Sequence, residues 1–165
     1  MSDAKATIEP TAVQLVAPIR PTARAIIVQH QRILLLRKDY GPLGERYALP
    51  GGAQETGETL HQALQRECEE EIGTHVTIGP MLHAADFFKL KQTEPPTRRH
   101  LLELLFRCEV PAGYQPRNGP HPDKHQVDVA WVDIPAVPQL PMSPPYLRDC
   151  ILHLDVTRPV YLGAV

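Results

Sequence analysis

The sequence predicts an α/β fold, a mixed β-sheet layered between helices as an α/β/α sandwich, and three observations carry that prediction. Apolar runs of strand length recur along the chain. Residues 60–72 have the period of an amphipathic helix, and 146–154 repeat that period near the end of the sequence. Strands flanked by two helices fit a sheet covered on both faces.

Residues 1–20 are polar and punctuated by proline, and read as an N-terminal arm preceding one domain over 21–165. Within the arm, 13–16 could add a short strand. Residues 23–29 and 32–37 are two apolar runs split by His30-Gln31, which predicts a hairpin although the dipeptide is not a strong turn signal. A loop over 38–46 leads to Leu49-Pro50-Gly51-Gly52. Thr59 and Gln62 then form a T-x-x-Q capping box, so a helix starts at Leu60, and Gly73 supplies its stop. Further strands are predicted at 75–79, 82–90, 100–109 and 127–134. The interval 111–124 holds four prolines and two glycines and must be a long loop. Five prolines occupy 135–145, after which Leu147, Cys150, Ile151 and Leu154 stand at helical spacing. No internal repeat is visible.

Composition narrows the function. A chain of 165 residues, 42% hydrophobic, buries a core in a single domain. A net charge of −2 without a basic stripe argues against nucleic acid as the main partner. The three cysteines, Cys68, Cys108 and Cys150, are widely spaced in apolar contexts and suggest reduced thiols rather than a disulfide frame. Neither a charged leader with an apolar core nor a membrane-length run is present, so the expected address is the cytoplasm, with no membrane partner. Two-fold dimers are the commonest assembly of soluble chains, and a homodimer is the default expectation.

The helix at 60–72 carries the chemistry. Leu60, Ala63, Leu64, Cys68 and Ile72 define its inward stripe on a 3.6-residue repeat. Glu67 and Glu71 fall on that same stripe, Glu70 sits at its edge, and Glu69 and Arg66 point elsewhere. A solvated acidic face would set its charges opposite the leucines. Partly burying carboxylates is costly unless they are paired or coordinate a metal. For the run ECEEE alone, an ordinary charged helix is the better reading, because charge runs are mostly solvated. Gly52, Glu58, Arg66, Glu67, Glu70, Glu71 and Gly73 at fixed intervals are another matter: by chance such a set arises about once in a million chains of ordinary composition.

That pattern, G-x5-E-x7-R-E-x-x-E-E-x-G preceded by Leu49-Pro50-Gly51, resembles the signature box of the Nudix hydrolase family, the MutT-like enzymes. The resemblance is specific over 47–74 and looser from about 22 to 155. Cys68 and Thr74 stand where the pattern is usually aliphatic, and Tyr47 where it often has Trp; every charged position is kept. The resemblance implies the α/β/α fold and cleavage of a nucleoside diphosphate linked to a further group, with Mg²⁺ or Mn²⁺ as cofactor. Carboxylate oxygens suit such hard cations. It further implies Glu67, Glu70 and Glu71 as metal ligands, joined by the Gly52 carbonyl, with Glu58 and Arg66 orienting them. Water then attacks phosphorus, with Glu67 as the first candidate for general base and Glu103 as the second.

Other candidates are weighed residue by residue. The run 100–106 reads as a buried strand with one carboxylate, Glu103, which is either functional or at a solvated edge of the sheet. Arg98, Arg99 and His100 could touch phosphates, although a basic loop tip is usually solvent, and Arg37 stands in the same position. Tyr40, Tyr47, Phe87 and Phe88 could stack on a base, although aromatics in strands are more often core. His121 and His125 resemble a zinc pair only superficially. Within the family, a downstream proline marks ADP-ribose, a tyrosine dinucleoside polyphosphates, and an extended upstream motif coenzyme A. Lys89-Leu90-Lys91-Gln92 and Arg37-Lys38-Asp39-Tyr40 match none of these. The expected substrate is therefore a small nucleoside triphosphate, with an ADP-sugar such as ADP-ribose as the alternative and a nucleotide-binding domain without turnover as a third possibility.

Overall fold

The computed structural model describes residues 14–165. Eight strands and two helices run β1 (Gln14–Gln29), β2 (Arg32–Asp39), β3 (Glu45–Ala48), β4 (Gly51–Ala53), α1 (Leu60–Ile72), β5 (Thr77–Lys91), β6 (Thr97–Glu109), β7 (Gln126–Asp133), α2 (Leu147–Leu152) and β8 (Tyr161–Ala164). The strand order is β3-β2-β1-β6-β5-β8, with β4 paired to β1 and β7 to β2. β1 runs parallel to β6 and β5 parallel to β8, whereas the other pairs are antiparallel, so the sheet is mixed.

Strand periodicity divides the core in two. Ala25, Ile27, Leu34, Leu36, Leu104 and Phe106 join Leu64, Cys68 and Ile72 of α1 on one side. Their strand neighbours Ile26, Ile33, Leu35 and Leu105 join Leu147, Cys150 and Ile151 of α2 on the other. Alternate residues of each central strand thus face opposite layers, as the two-residue side-chain period requires. The outcome is the predicted sandwich.

The local signals around α1 hold. Thr59 accepts from the Gln62 backbone, the Gln62 side chain returns the bond, and Gly73 ends the helix at φ 68°. Ala63, Leu64, Cys68 and Ile72 are buried as the stripe required, and Leu60 packs at its margin. His30 and Gln31 both take positive φ, 50° and 60°, the geometry of a two-residue hairpin turn that suits strand twist.

Four boundaries differ from the sequence reading. The strands expected at 75–79 and 82–90 are one strand, β5. Its register shifts between Ile78 and His83 absorb Gly79-Pro80 as an irregularity, the usual place for a proline in a strand. The second helix is shorter than 146–154 and spans Leu147–Leu152. The short strands β3, β4 and β8 were not anticipated. Of the expected arm, residues 1–13 lie outside the described residues, while 14–20 open β1, with Gln14–Val16 paired to Thr97–Arg99. Among the described residues, no helix is long and apolar enough to cross a membrane.

Candidate active site

The site is assembled where β4, the N-terminal half of β1 and the last turns of α1 meet. β4 is formed by Gly51-Gly52-Ala53 because the backbones approach closely there. A Cβ on Gly51, which has φ 137°, would lie 2.1 Å from the Ala23 carbonyl oxygen. At Gly52 a Cβ would lie 2.6 Å from the Glu67 carboxylate. Glycine therefore lets β4 pair with Ala23 and Arg24 and lets Glu67 press against it.

Arg66 organises the acidic wall. Its Nε and Nη2 donate to the two oxygens of Glu58 at 3.1 and 2.7 Å, a bidentate fork. Its Nη1 donates to Glu67 at 3.0 Å and lies 3.6 Å from Glu70, while Nη2 also reaches the Ala53 carbonyl at 3.1 Å. Arg66 thus curls onto the site from its position off the apolar stripe. The same contacts hold Glu58 below the usual carboxylate range, with a further bond from the Glu55 backbone, and raise Arg66. Glu69 turns away to His75.

Glu71 is 3% exposed. One oxygen accepts from the Gly51 backbone at 3.1 Å, and the other is buried without a partner. Burial and the neighbouring Glu67 push its carboxyl up to about 8. A buried carboxylate oxygen beside a second carboxylate needs a proton or a cation. Among the described residues no three His, Cys, Asp or Glu side chains form a preformed cage. Glu67, Glu70 and Glu71 nonetheless line one cleft with Gly51 and Gly52. Such a donor set fits a hard divalent cation that keeps some water and shares phosphate oxygens with its substrate.

The proline-rich loop after β6 serves this wall. The last carbonyls of a helix lack partners within it. Here Gly119 N–H donates to Glu71 O at 2.9 Å, His121 N–H to Glu70 O at 3.0 Å, Gln126 Nε2 to Glu71 O at 2.7 Å and Tyr114 Oη to Ile72 O at 2.7 Å. Arg117 adds a bond to the Gly73 carbonyl. Gly119 sits so near that a Cβ would fall 2.3 Å from Glu70 O. The loop is a cap for the glutamate-bearing turn, and it brings His121 and Asp123 to the cleft rim.

The opposite wall is basic. Arg20, Arg24, Lys38, Lys89, Lys91 and Arg99 line the same cleft, whose volume is about 520 Å³. A narrower slot of about 50 Å³ shares Arg24, Lys38 and Lys89 with it and is walled by Tyr40, Phe87 and Pro144. Tyr40 stacks on His125 at 4.2 Å, so His125 has no part in a zinc pair with His121.

Several sequence-predicted residues lie elsewhere. Glu103 is fully buried in the central strand rather than at a solvated edge, and it does not line the cleft. The parallel pairing of β1 and β6 sets it opposite Thr22. It accepts a short bond from Thr22 Oγ1 and one from Arg24 Nε at 2.6 Å. Arg37 points away because strand side chains alternate, so Lys38 enters the cleft while Arg37 pairs with Glu45 and approaches Asp128. Tyr47 packs into the α2-side core with its hydroxyl 3.3 Å from Glu45. Phe88 and His100 pack together on the face away from the cleft, where His100 meets Asp86. Arg99 does line the cleft. The sequence reading missed Arg20, Thr22, Arg24, Lys89 and Lys91, although the signal was present: polar residues at every second position mark one face of a strand.

Known proteins share this architecture. The pattern described as the NUDIX domain matches residues 18–154. An ADP-ribose pyrophosphatase of Methanocaldococcus jannaschii is 32% identical over 88 residues, 53% of this chain and 49% of that protein. A nucleoside triphosphatase, NudI, of an Enterobacter species is 42% identical over 89 residues, 50% of this chain and 63% of that protein. The matched stretches thus span between about half and two thirds of these relatives. The crystal structure of a MutT NUDIX hydrolase from Burkholderia pseudomallei superposes with a TM-score of 0.64 at 26% identity, covering 86% of this chain and all of that one. With the family pattern running through both the glutamate wall and the basic wall, the chain belongs to the NUDIX family of hydrolases.

Proposed function

We propose that the chain is a divalent-cation-dependent pyrophosphohydrolase that cleaves a phosphoanhydride bond in a nucleoside diphosphate linked to another group, with a small nucleoside triphosphate as substrate. One observation carries the reading: Glu67, Glu70 and Glu71 face six cationic side chains across a single cleft of about 520 Å³. A purely acidic cleft would repel phosphate, and a purely basic one would hold no cation.

Mg²⁺ or Mn²⁺, held by Glu67, Glu70, Glu71 and the Gly52 backbone, would supply Lewis acidity to the phosphate and acidify a water. Arg66 keeps Glu58, Glu67 and Glu70 oriented. Water oxygen attacks phosphorus, Glu67 takes its proton, and the anhydride P–O bond breaks with its electrons on the leaving phosphate. Arg24 and Lys38 of the basic wall neutralise charge gathering on the non-bridging oxygens. A nucleoside triphosphate yields a nucleoside monophosphate and pyrophosphate. Glu103 lies beneath the floor and takes no proton in this scheme. The slot between Tyr40 and Phe87 offers aromatic faces beside the phosphates and suits the start of a nucleoside.

An ADP-sugar is the second reading, favoured by the relative named as an ADP-ribose pyrophosphatase. Incubating the protein and Mg²⁺ with nucleoside triphosphates, ADP-ribose and related diphosphates, with pyrophosphate and nucleoside monophosphate resolved by anion-exchange chromatography, decides between them. Pyrophosphate from a triphosphate supports the first reading; AMP from ADP-ribose alone supports the second. A silent panel overturns both.

A further inference from the structure

The cations of the cleft divide by their partners. Arg24 is held by Glu103 and Lys38 by Asp123. Arg20, Lys89, Lys91 and Arg99 line the same cleft with no carboxylate in ion-pair reach among the described residues. They are close by register. Lys89 is the direct cross-strand partner of Arg99, Lys91 lies opposite Thr97, and Arg20 lies across β6 at Leu101. Like charges directly opposite in an antiparallel pair destabilise the sheet. The Nε of Arg99 is moreover buried without a hydrogen-bond partner. Burial first, then Arg24, Lys38 and Lys91, pull the Lys89 ammonium down from its ordinary range. Uncompensated crowding of this kind marks a place for an anion.

The phosphates of a diphosphate capped at both ends carry one charge each, and the bond under attack is engaged at the glutamate wall. Four further cations exceed that need. A terminal phosphate or a phosphomonoester on the sugar carries nearly two charges and three acceptor oxygens. We propose that Arg20, Lys89, Lys91 and Arg99 form an anion subsite for a phosphomonoester group of the substrate, distinct from the phosphorus under attack. Its place in the reaction rests on the proposed hydrolase function, whereas its binding does not.

The test uses the whole chain and the double variant Lys89→Gln/Arg99→Gln, with thermal midpoints compared to verify folding. In EDTA, isothermal titration with inorganic tripolyphosphate should show binding that weakens at least about tenfold in the variant. With Mg²⁺, the KM for a nucleoside triphosphate or for ADP-ribose 2′-phosphate should rise at least about tenfold, while that for ADP-ribose stays within about threefold. Whichever arm moves identifies the end of a polyphosphate or a sugar phosphate as the source, and either upholds the subsite. No tripolyphosphate binding to the parent chain, an unchanged dissociation constant in the variant, or equal shifts for all substrates overturns it. A silent turnover panel with the binding difference intact overturns the hydrolase reading alone; turnover with an unchanged dissociation constant does the reverse.

Discussion

Glu103 holds Arg24 from below. The carboxylate, fully buried in the central strand, accepts from Arg24 Nε at 2.6 Å, while the guanidinium lines the cleft above it. An arginine projecting into a cleft has many rotamers, and a buried partner removes most of them. Glu103 is therefore a positioning residue for a cation of the cleft, which under the proposed function would meet substrate. It also settles Arg24, whose guanidinium burial disfavours and Glu103 stabilises.

Replacing Glu103 by Gln should raise KM about tenfold with a smaller change in kcat, and should cost roughly 2–4 kcal/mol in urea unfolding, because a buried charge loses its counter-ion. A loss confined to kcat, by orders of magnitude, would instead make Glu103 a proton acceptor.

Glu71 makes stability depend on pH. Its folded carboxyl titrates near 8, well above its ordinary value of 4.5, through burial and Glu67. Between those two values the folded chain holds more protons than the unfolded one. Stability from this group is therefore full below about 4.5 and is lost as pH rises through 8. In EDTA, thermal midpoints should fall from pH 6 to pH 9, and Glu71→Gln should flatten that fall and stabilise the chain at pH 9 by roughly 1–3 kcal/mol. Mg²⁺ should raise the parent midpoint more at pH 9 than at pH 6. An identical pH slope in Glu71→Gln contradicts the assignment.

Gln126 ties the capping loop to α1 through its bond to the Glu71 carbonyl and its contact with Asn118. Gln126→Leu should destabilise by roughly 1–2 kcal/mol and weaken Mg²⁺ binding severalfold, measured by urea unfolding and calorimetric titration. Lost stability with unchanged Mg²⁺ affinity would leave the loop a structural cap only.

What the sequence made legible was local. Thr59, Gln62 and Gly73 specify the ends of α1 within a few residues of themselves, so the helix and the face carrying Glu67, Glu70 and Glu71 follow from spacing. What stayed hidden depends on partners far along the chain. Arg24 and Glu103 are separated by 79 positions and meet only because β1 and β6 run parallel. Lys38 lines the cleft and Arg37 does not, because on a strand a step of one residue changes the face. The loop at 111–124 was recognised by its prolines, but its carbonyl-capping role required knowing where α1 ends in space. Overall net charge concealed the basic wall, since acidic and basic residues cancel in the sum while the fold sorts them onto opposite sides of a cleft.

The glutamate wall as the seat of turnover is tested most directly at Glu70, which is partly exposed and, among the described residues, forms a single ion pair, 3.6 Å from Arg66. Glu70→Gln removes a carboxylate from the cleft without removing core. With the substrate found by the nucleotide panel and saturating Mg²⁺, kcat should fall by about two orders of magnitude or more while the urea midpoint stays put. Near-normal turnover in the folded variant would contradict the placement of the reaction at this wall.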